Sequence, residues 1–202
     1  MIITTSQNEV IKADKVILCM PPQVVHSEIN FSPALPINLS DILPNVQTWM
    51  AGSIKFVLEY KKPFWRENAY SGMLYSHTGI VVEMYDHTNF EDNRFGFTGF
   101  LNSSFSSFSQ EERRQLVLNQ LAELLGEEIK NPTFYNDKVW TDEYTLGQNQ
   151  VIQRRHYNNG HPLLQRSYYE NKLYFSGTET SQTYPGYMEG AILSAIRIAN
   201  EF

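Results

Sequence analysis

The residues best arranged to meet a ligand lie near the C-terminal end, between Leu173 and Phe202. The apolar run Leu173-Tyr174-Phe175 predicts a strand. The small, polar stretch Gly177-Thr178-Glu179-Thr180 follows it, and Gly186-Tyr187-Met188-Glu189-Gly190 then opens an apolar helix. Strand, glycine-rich turn and helix N-terminus, in that order, present backbone N–H groups and the positive end of a helix dipole. The chemistry this serves is recognition of an anion or of the polarised edge of a ring. Gly186 and Gly190 stand one helical turn apart, a spacing that admits another backbone or a flat ring at close range. Met188, Ala191, Ile192, Ala195, Ala199 and Phe202 recur at intervals of three and four and are expected to share one face. Close packing of a plain C-terminal helix is the other reading of the same residues, and on the residues alone it is slightly favoured.

Other constellations of reactive side chains are not supported. The five histidines, His26, His77, His87, His156 and His161, lack zinc-ligand spacing such as H-E-x-x-H. His77, Glu83, Asp86 and His87 read as solvated loop residues rather than a metal site. There is no G-x-S-x-G nucleophile elbow and no G-x-G-x-x-G dinucleotide fingerprint. The composition, 42% hydrophobic and 13% aromatic, is that of a globular chain of one or two domains. A net charge of −6 with no run of Lys or Arg argues against nucleic acid and anionic membrane surfaces as partners. The single Cys19 cannot form an internal disulfide, which fits a reducing, cytoplasmic compartment. No apolar run approaches membrane length, and no signal-peptide pattern opens the chain.

Several elements must position the C-terminal group. Met1 to Ser6 and Val16 to Met20 read as two strands, with a turn at Gln7-Asn8-Glu9 and a stop at Pro21-Pro22. Leu39 to Trp49 predicts a short helix interrupted by Pro44. In the strand that follows, Ile54, Phe56, Leu58 and Tyr60 alternate onto one face, and Lys55, Val57 and Glu59 onto the other. Gly72 to Tyr75, Gly79 to Tyr85 and Phe95 to Leu101 predict an antiparallel meander. Ser109 and Glu112 form a capping box opening a helix with Leu116, Val117, Leu121, Leu124 and Leu125 on its stripe and Gly126 at its end. A further strand is expected around Pro132 to Trp140.

The string GTETS…GYMEGAI resembles the C-terminal signature of the flavin-containing monoamine oxidase family, with its polyamine and L-amino-acid oxidase relatives. The Gly52-to-Lys55 segment with Pro63-Phe64-Trp65 is similar to that family's substrate domain, and Ala13 to Ile17 with Ile29 to Pro36 to its exit from the FAD domain. The resemblance implies an α+β fold: residues 1–44 and 143–202 as parts of an FAD-binding domain, and 45–142 as a substrate domain with a mixed, mostly antiparallel sheet flanked by helices. It also implies the C-terminal half of an enzyme whose other half carries the missing fingerprint.

The function implied is FAD-dependent oxidation of a small-molecule amine, with oxygen reoxidising the flavin to give hydrogen peroxide. Lys55 would face flavin N5, while a solvent-facing strand lysine is the other reading. Trp140, followed by Glu143, would pack near the ring or serve as an ordinary core residue. Gly177, Thr178 and Glu179 would follow the ribityl chain, and Gly186, Tyr187 and Met188 would meet the ring edge. Tyr187 would also form one wall of an aromatic cage around the amine. Asn149-Gln150 stand where the animal enzymes carry Cys-Tyr, which implies non-covalent FAD and no second ring from that position. A non-catalytic chain, and a flavin desaturase or porphyrinogen oxidase relative, are the alternatives. The substrate and a homo-oligomeric state stay open.

Overall fold

The computed structural model describes residues 1–141 and 156–202. The chain forms two compact units, one of Met1–Ala51 with Thr141–Phe202 and one of Gly52–Trp140. Among the described residues no helix is long and apolar enough to cross a membrane.

The first unit opens with a hairpin of β1 (Ile2–Thr4) and β2 (Val10–Lys12), paired antiparallel. The second of these strands was not expected, because only three residues pair and their side chains are exposed. β3 (Val16–Leu18) then joins a three-stranded sheet in the order β3, β10 (Leu173–Phe175), β9 (Ser167–Tyr168). β3 and β10 run parallel, and β9 runs antiparallel to β10. All three residues of β10 are buried, as the middle strand of a sheet covered on both faces requires. Two short helices, α1 (Pro22–Glu28) and α2 (Ile37–Ile42), lie between. The helix expected to reach Trp49 ends earlier: Pro44 sits in a 3-10 turn, Leu43–Asn45, and cannot donate to a continuing helix. Val25, Leu39, Leu43, Val46, Leu164, Leu173 and Phe175 form the core of this unit.

The second unit is a five-stranded sheet in the order β5 (Leu74–Tyr75), β6 (Val81–Asp86), β7 (Phe95–Leu101), β4 (Ile54–Tyr60), β8 (Phe134–Val139). The sheet is α+β in character as expected, but every pairing in it is antiparallel rather than mixed. Ile54, Phe56, Leu58 and Tyr60 face the core. There they meet Phe64 and Trp65 of the one-turn helix α3 (Phe64–Glu67), and Val117, Leu118 and Leu121 of α4 (Gln110–Leu125). The capping box forms, with Glu112 N–H donating to Ser109 Oγ and Ser109 N–H to Glu112 Oε2. The buried stripe of α4 is rotated from the expected one: Leu116 and Leu124 are exposed, and Leu118 and Arg113 turn inward instead. Arg113 sets that rotation, because its guanidinium reaches Asp137 on β8 through Nη2–Oδ1 at 2.6 Å and Nε–Oδ2 at 3.0 Å.

Candidate functional site

β10 ends at Phe175, and the chain turns through Ser176 and Gly177 into a 3-10 turn at Thr178–Thr180. It returns at Tyr187 to start α5 (Met188–Ala199). Ser194, one side chain on α5, ties the two arms together: it accepts from the Gly177 N–H at 3.0 Å and lies 3.1 Å from Ser176 Oγ. Thr178 Oγ1 donates to the Tyr187 carbonyl at 2.8 Å. Behind them Arg197 donates to the carbonyl of Phe175 at 2.7 Å and to Thr180 Oγ1 at 3.2 Å. Gly190 lets the arms close, since a Cβ there would stand 2.2 Å from the Tyr184 carbonyl oxygen.

These contacts leave the helix start unclaimed. Tyr187 occupies the N-cap position without a side-chain cap, and no described group accepts from the N–H of Met188, Glu189 or Gly190. An uncapped first turn keeps its orphan donors and dipole end for a ligand. Such donors fit the carbonyl-bearing edge of a ring. The apolar stripe expected to pack inward instead faces outward: Met188 is 86% exposed, Ile192 52% and Phe202 62%. α5 buries Gly190, Ser194 and Ile198, the side without bulk that the turn can approach.

Glu179 is buried beneath this turn, and its backbone carbonyl accepts from the Gly160 N–H at 2.8 Å. Burial pushes its carboxyl above the usual carboxylate range, opposed in part by its own backbone amide and by the Thr48 hydroxyl. Next to Thr48, the Trp49 ring lies 4.4 Å from the Tyr187 ring, and the His156 ring lies nearly parallel to Tyr187 at 6.2 Å. Gly186 adjoins both, with a Cβ position 2.8 Å from Trp49 Cβ and 3.0 Å from His156 Cε1. The space expected at Gly186 for a ligand ring is thus taken by side chains of the same unit.

In the second unit Lys55 is exposed, opposite in alternation to the core positions of β4, with its ammonium 5.6 Å from the centre of the Phe100 ring. Lys138 pairs with it across β8 and places its own ammonium 5.0 Å over the Trp140 ring. Trp140 is 41% exposed and is not a core residue.

Gly177, Thr178, Glu179, Gly186, Tyr187 and Met188 therefore gather on one strand-turn-helix, and Lys55 and Trp140 on the outer face of one sheet. Glu143, Asn149 and Gln150 lie outside the described residues. Sequence reasoning passed over Trp49, His156 and Ser194. Only Ser194 carried a signal, as a hydroxyl between the apolar positions of α5. Trp49 meets Tyr187 and His156 across more than a hundred residues of chain, and nothing local marks the cluster.

A two-unit α+β chain with an uncapped helix start after a glycine-rich turn has clear relatives. The profile of the family described as "Flavin containing amine oxidoreductase" matches residues 2–201, and the chain belongs to that family. It is 27% identical over 206 residues to a probable flavin-containing monoamine oxidase A of Dictyostelium discoideum, covering 98% of this chain and 44% of that one. It is 29% identical to the human flavin-containing amine oxidase B, covering 100% of this chain and 39% of that protein. Among solved structures, a putrescine oxidase bound to putrescine superposes with a TM-score of 0.80 at 27% identity, over 97% of this chain and 44% of the other. The cyclohexylamine oxidase of Brevibacterium oxydans IH-35A gives 0.80 at 25%, over 98% and 45%. The chain thus spans less than half the length of these relatives.

Proposed function

We propose that this chain is the C-terminal portion of an FAD-dependent amine oxidase. The carrying observation is a family match over residues 2–201 together with a C-terminal strand, turn and helix whose first-turn amides no described group claims. Bound flavin would take a hydride equivalent from the amine's α carbon, leaving an imine that water hydrolyses, and oxygen would take the electrons as hydrogen peroxide. The chain's own residues bind and orient. Met188 and its neighbours offer N–H donors to the ring edge. Gly177, Thr178 and the buried Glu179 shape the turn that would follow the ribityl chain. Tyr187, steadied by Trp49, gives a half-exposed ring to wall the amine. Lys55 would place positive charge at N5, with Trp140 beside the ring.

FAD is held non-covalently in this reading, because Asn149 stands where the animal enzymes of the family carry the linking cysteine. An N-terminal portion of the same enzyme would supply the dinucleotide fingerprint. The exposed apolar side chains of Ile2, Val10, Met188 and Ile192 give such a portion a surface to cover. The free, exposed Cys19 suits the cytoplasm.

The test is aerobic assay of the full-length, FAD-loaded enzyme with a panel of primary amines. Equal amounts of carbonyl product and hydrogen peroxide are expected. Carbonyl formation without peroxide, or peroxide without amine consumption, would contradict the reading.

A further inference from the structure

α5 meets the glycine-rich turn along one line of residues, spaced three and four apart. Gly190 lies against the Tyr184 carbonyl and Thr178 Oγ1, and Ser194 against the Gly177 N–H and Ser176 Oγ. Arg197 is next on the line, since residues at that spacing are neighbours on a helix surface. The first two contacts come from residues with little or no side chain, and the third from a guanidinium. Arg197 Nη2 donates to the carbonyl of Phe175, where β10 ends, at 2.7 Å. It also donates to Thr180 Oγ1, where the 3-10 turn ends, at 3.2 Å. Nη1 donates to the Gln165 carbonyl at 3.3 Å. Thr180 Oγ1 in turn donates to the Gly177 carbonyl at 2.8 Å, and Gln165 Nε2 donates to the Thr180 carbonyl. One side chain therefore fixes both the entry and the exit of the turn.

All of these acceptors are neutral. Arg113, turned inward on α4, has its charge met by Asp137 at 2.6 Å. Arg197 has no carboxylate within ion-pair distance among the described residues, and its buried Nε–H finds no acceptor. Burial lowers the pKa of this half-buried guanidinium, and the Glu201 carboxylate, one helical turn on, opposes the shift through space. An arginine nevertheless stays charged at any ordinary pH. Hydrogen bonds to carbonyls and a hydroxyl need no charge, and withdrawing a cation from water without a counter-charge is costly. A charge kept under those terms points to a neighbouring group that itself gains negative charge.

We propose that Arg197 is a positioning residue for the flavin: it fixes the turn along which the ribityl chain would run, and its unpaired charge favours the reduced cofactor. The inference rests on the amine-oxidase reading, in which Gly177, Thr178 and Glu179 follow that chain. A flavin gains negative charge on reduction, and a preorganised cation away from water stabilises charge that develops nearby. The contacts of Arg197 are all to the chain, so it acts through the turn and not on a reacting atom.

The full-length enzyme is prepared as wild type, Arg197→Gln and Arg197→Lys. The Kd for FAD, the flavin midpoint potential by dye equilibration and the urea midpoint are read without any amine present. Arg197→Gln should raise the Kd about 10-fold, the loss of one hydrogen bond to a charged group. It should also make the reduced flavin about tenfold less favoured, which is about 30 mV for a two-electron couple. Arg197→Lys keeps the charge and loses the fork, so its potential should stay at the wild-type value while its Kd rises. An unchanged Kd or an unchanged potential in Arg197→Gln overturns this inference alone, whatever the urea midpoint does, because a merely structural arginine would lower stability and leave the potential where it was. If Arg197→Gln does not fold, Arg197→Lys decides: a raised Kd at wild-type potential supports the inference, and an unchanged Kd or a lowered potential overturns it. A wild-type protein that holds no FAD overturns the amine-oxidase reading and this inference with it.

Discussion

Gly190→Ala probes the joint that holds the start of α5. An added Cβ would stand 2.2 Å from the Tyr184 carbonyl oxygen and 2.9 Å from Thr178 Oγ1. Thr178 is already committed to the Tyr187 carbonyl, so neither neighbour withdraws without opening the turn. Alanine is favoured over glycine inside a helix by about 1 kcal/mol. Overpacking of this kind costs about 1–3 kcal/mol, and a backbone obstacle puts the cost in the upper part of that range. The net expectation is a loss of about 1–2 kcal/mol, read as a lower urea midpoint with an unchanged slope. In the full-length enzyme the same variant should bind FAD more weakly, because the first-turn amides move with the helix. A variant more stable than wild type by the helix-propensity gain would refute the tight joint, and unchanged FAD affinity would refute its bearing on the cofactor.

Lys55→Met in the full-length enzyme should slow flavin reoxidation by about 100-fold, the usual effect of losing one preorganised charge, and slow reduction by amine less; stopped-flow measurement of the two half-reactions separates them. Arg113→Ala leaves Asp137 buried with only Tyr135 as a side-chain partner, and should destabilise the chain by about 3 kcal/mol in denaturant unfolding. Asp86 predicts a pH dependence. Burial pushes its carboxyl up, but hydrogen bonds from Arg66, Thr88 and Trp65 outweigh burial and hold it at about 2, below its ordinary 3.8. A lowered folded value stabilises above the unfolded one, so this contribution is present above pH 4 and is lost as pH falls from there towards 2. Asp86→Asn should flatten the acid limb of a thermal-melt series.

Where local chemistry decides, the sequence was readable. The alternation of β4, the meander, the capping box at Ser109 and the strand-turn-helix of residues 173–199 all follow from patterns a few residues long. The misreadings come from partners distant in sequence. α5 shows a regular apolar stripe, yet it buries Gly190, Ser194 and Ile198, because the returning turn needs a side without bulk. The stripe of α4 is turned by an ion pair with a strand 24 residues away, and charge on a helix surface gives no sign of such a partner. Glu83 read as a loop acid, since the bulge that pairs it with Phe100 is a property of two strands and leaves no mark in one. The ring cluster of Trp49, His156 and Tyr187 was hidden for the same reason.

Anaerobic mixing of the full-length, FAD-loaded enzyme with a primary amine tests the central claim most directly. The account predicts bleaching of the flavin absorbance by a stoichiometric amount of amine, full recovery on admitting oxygen, and one hydrogen peroxide per amine consumed. Flavin that stays oxidised with every aliphatic, aromatic and diamine substrate offered, while remaining bound to the protein, would contradict it.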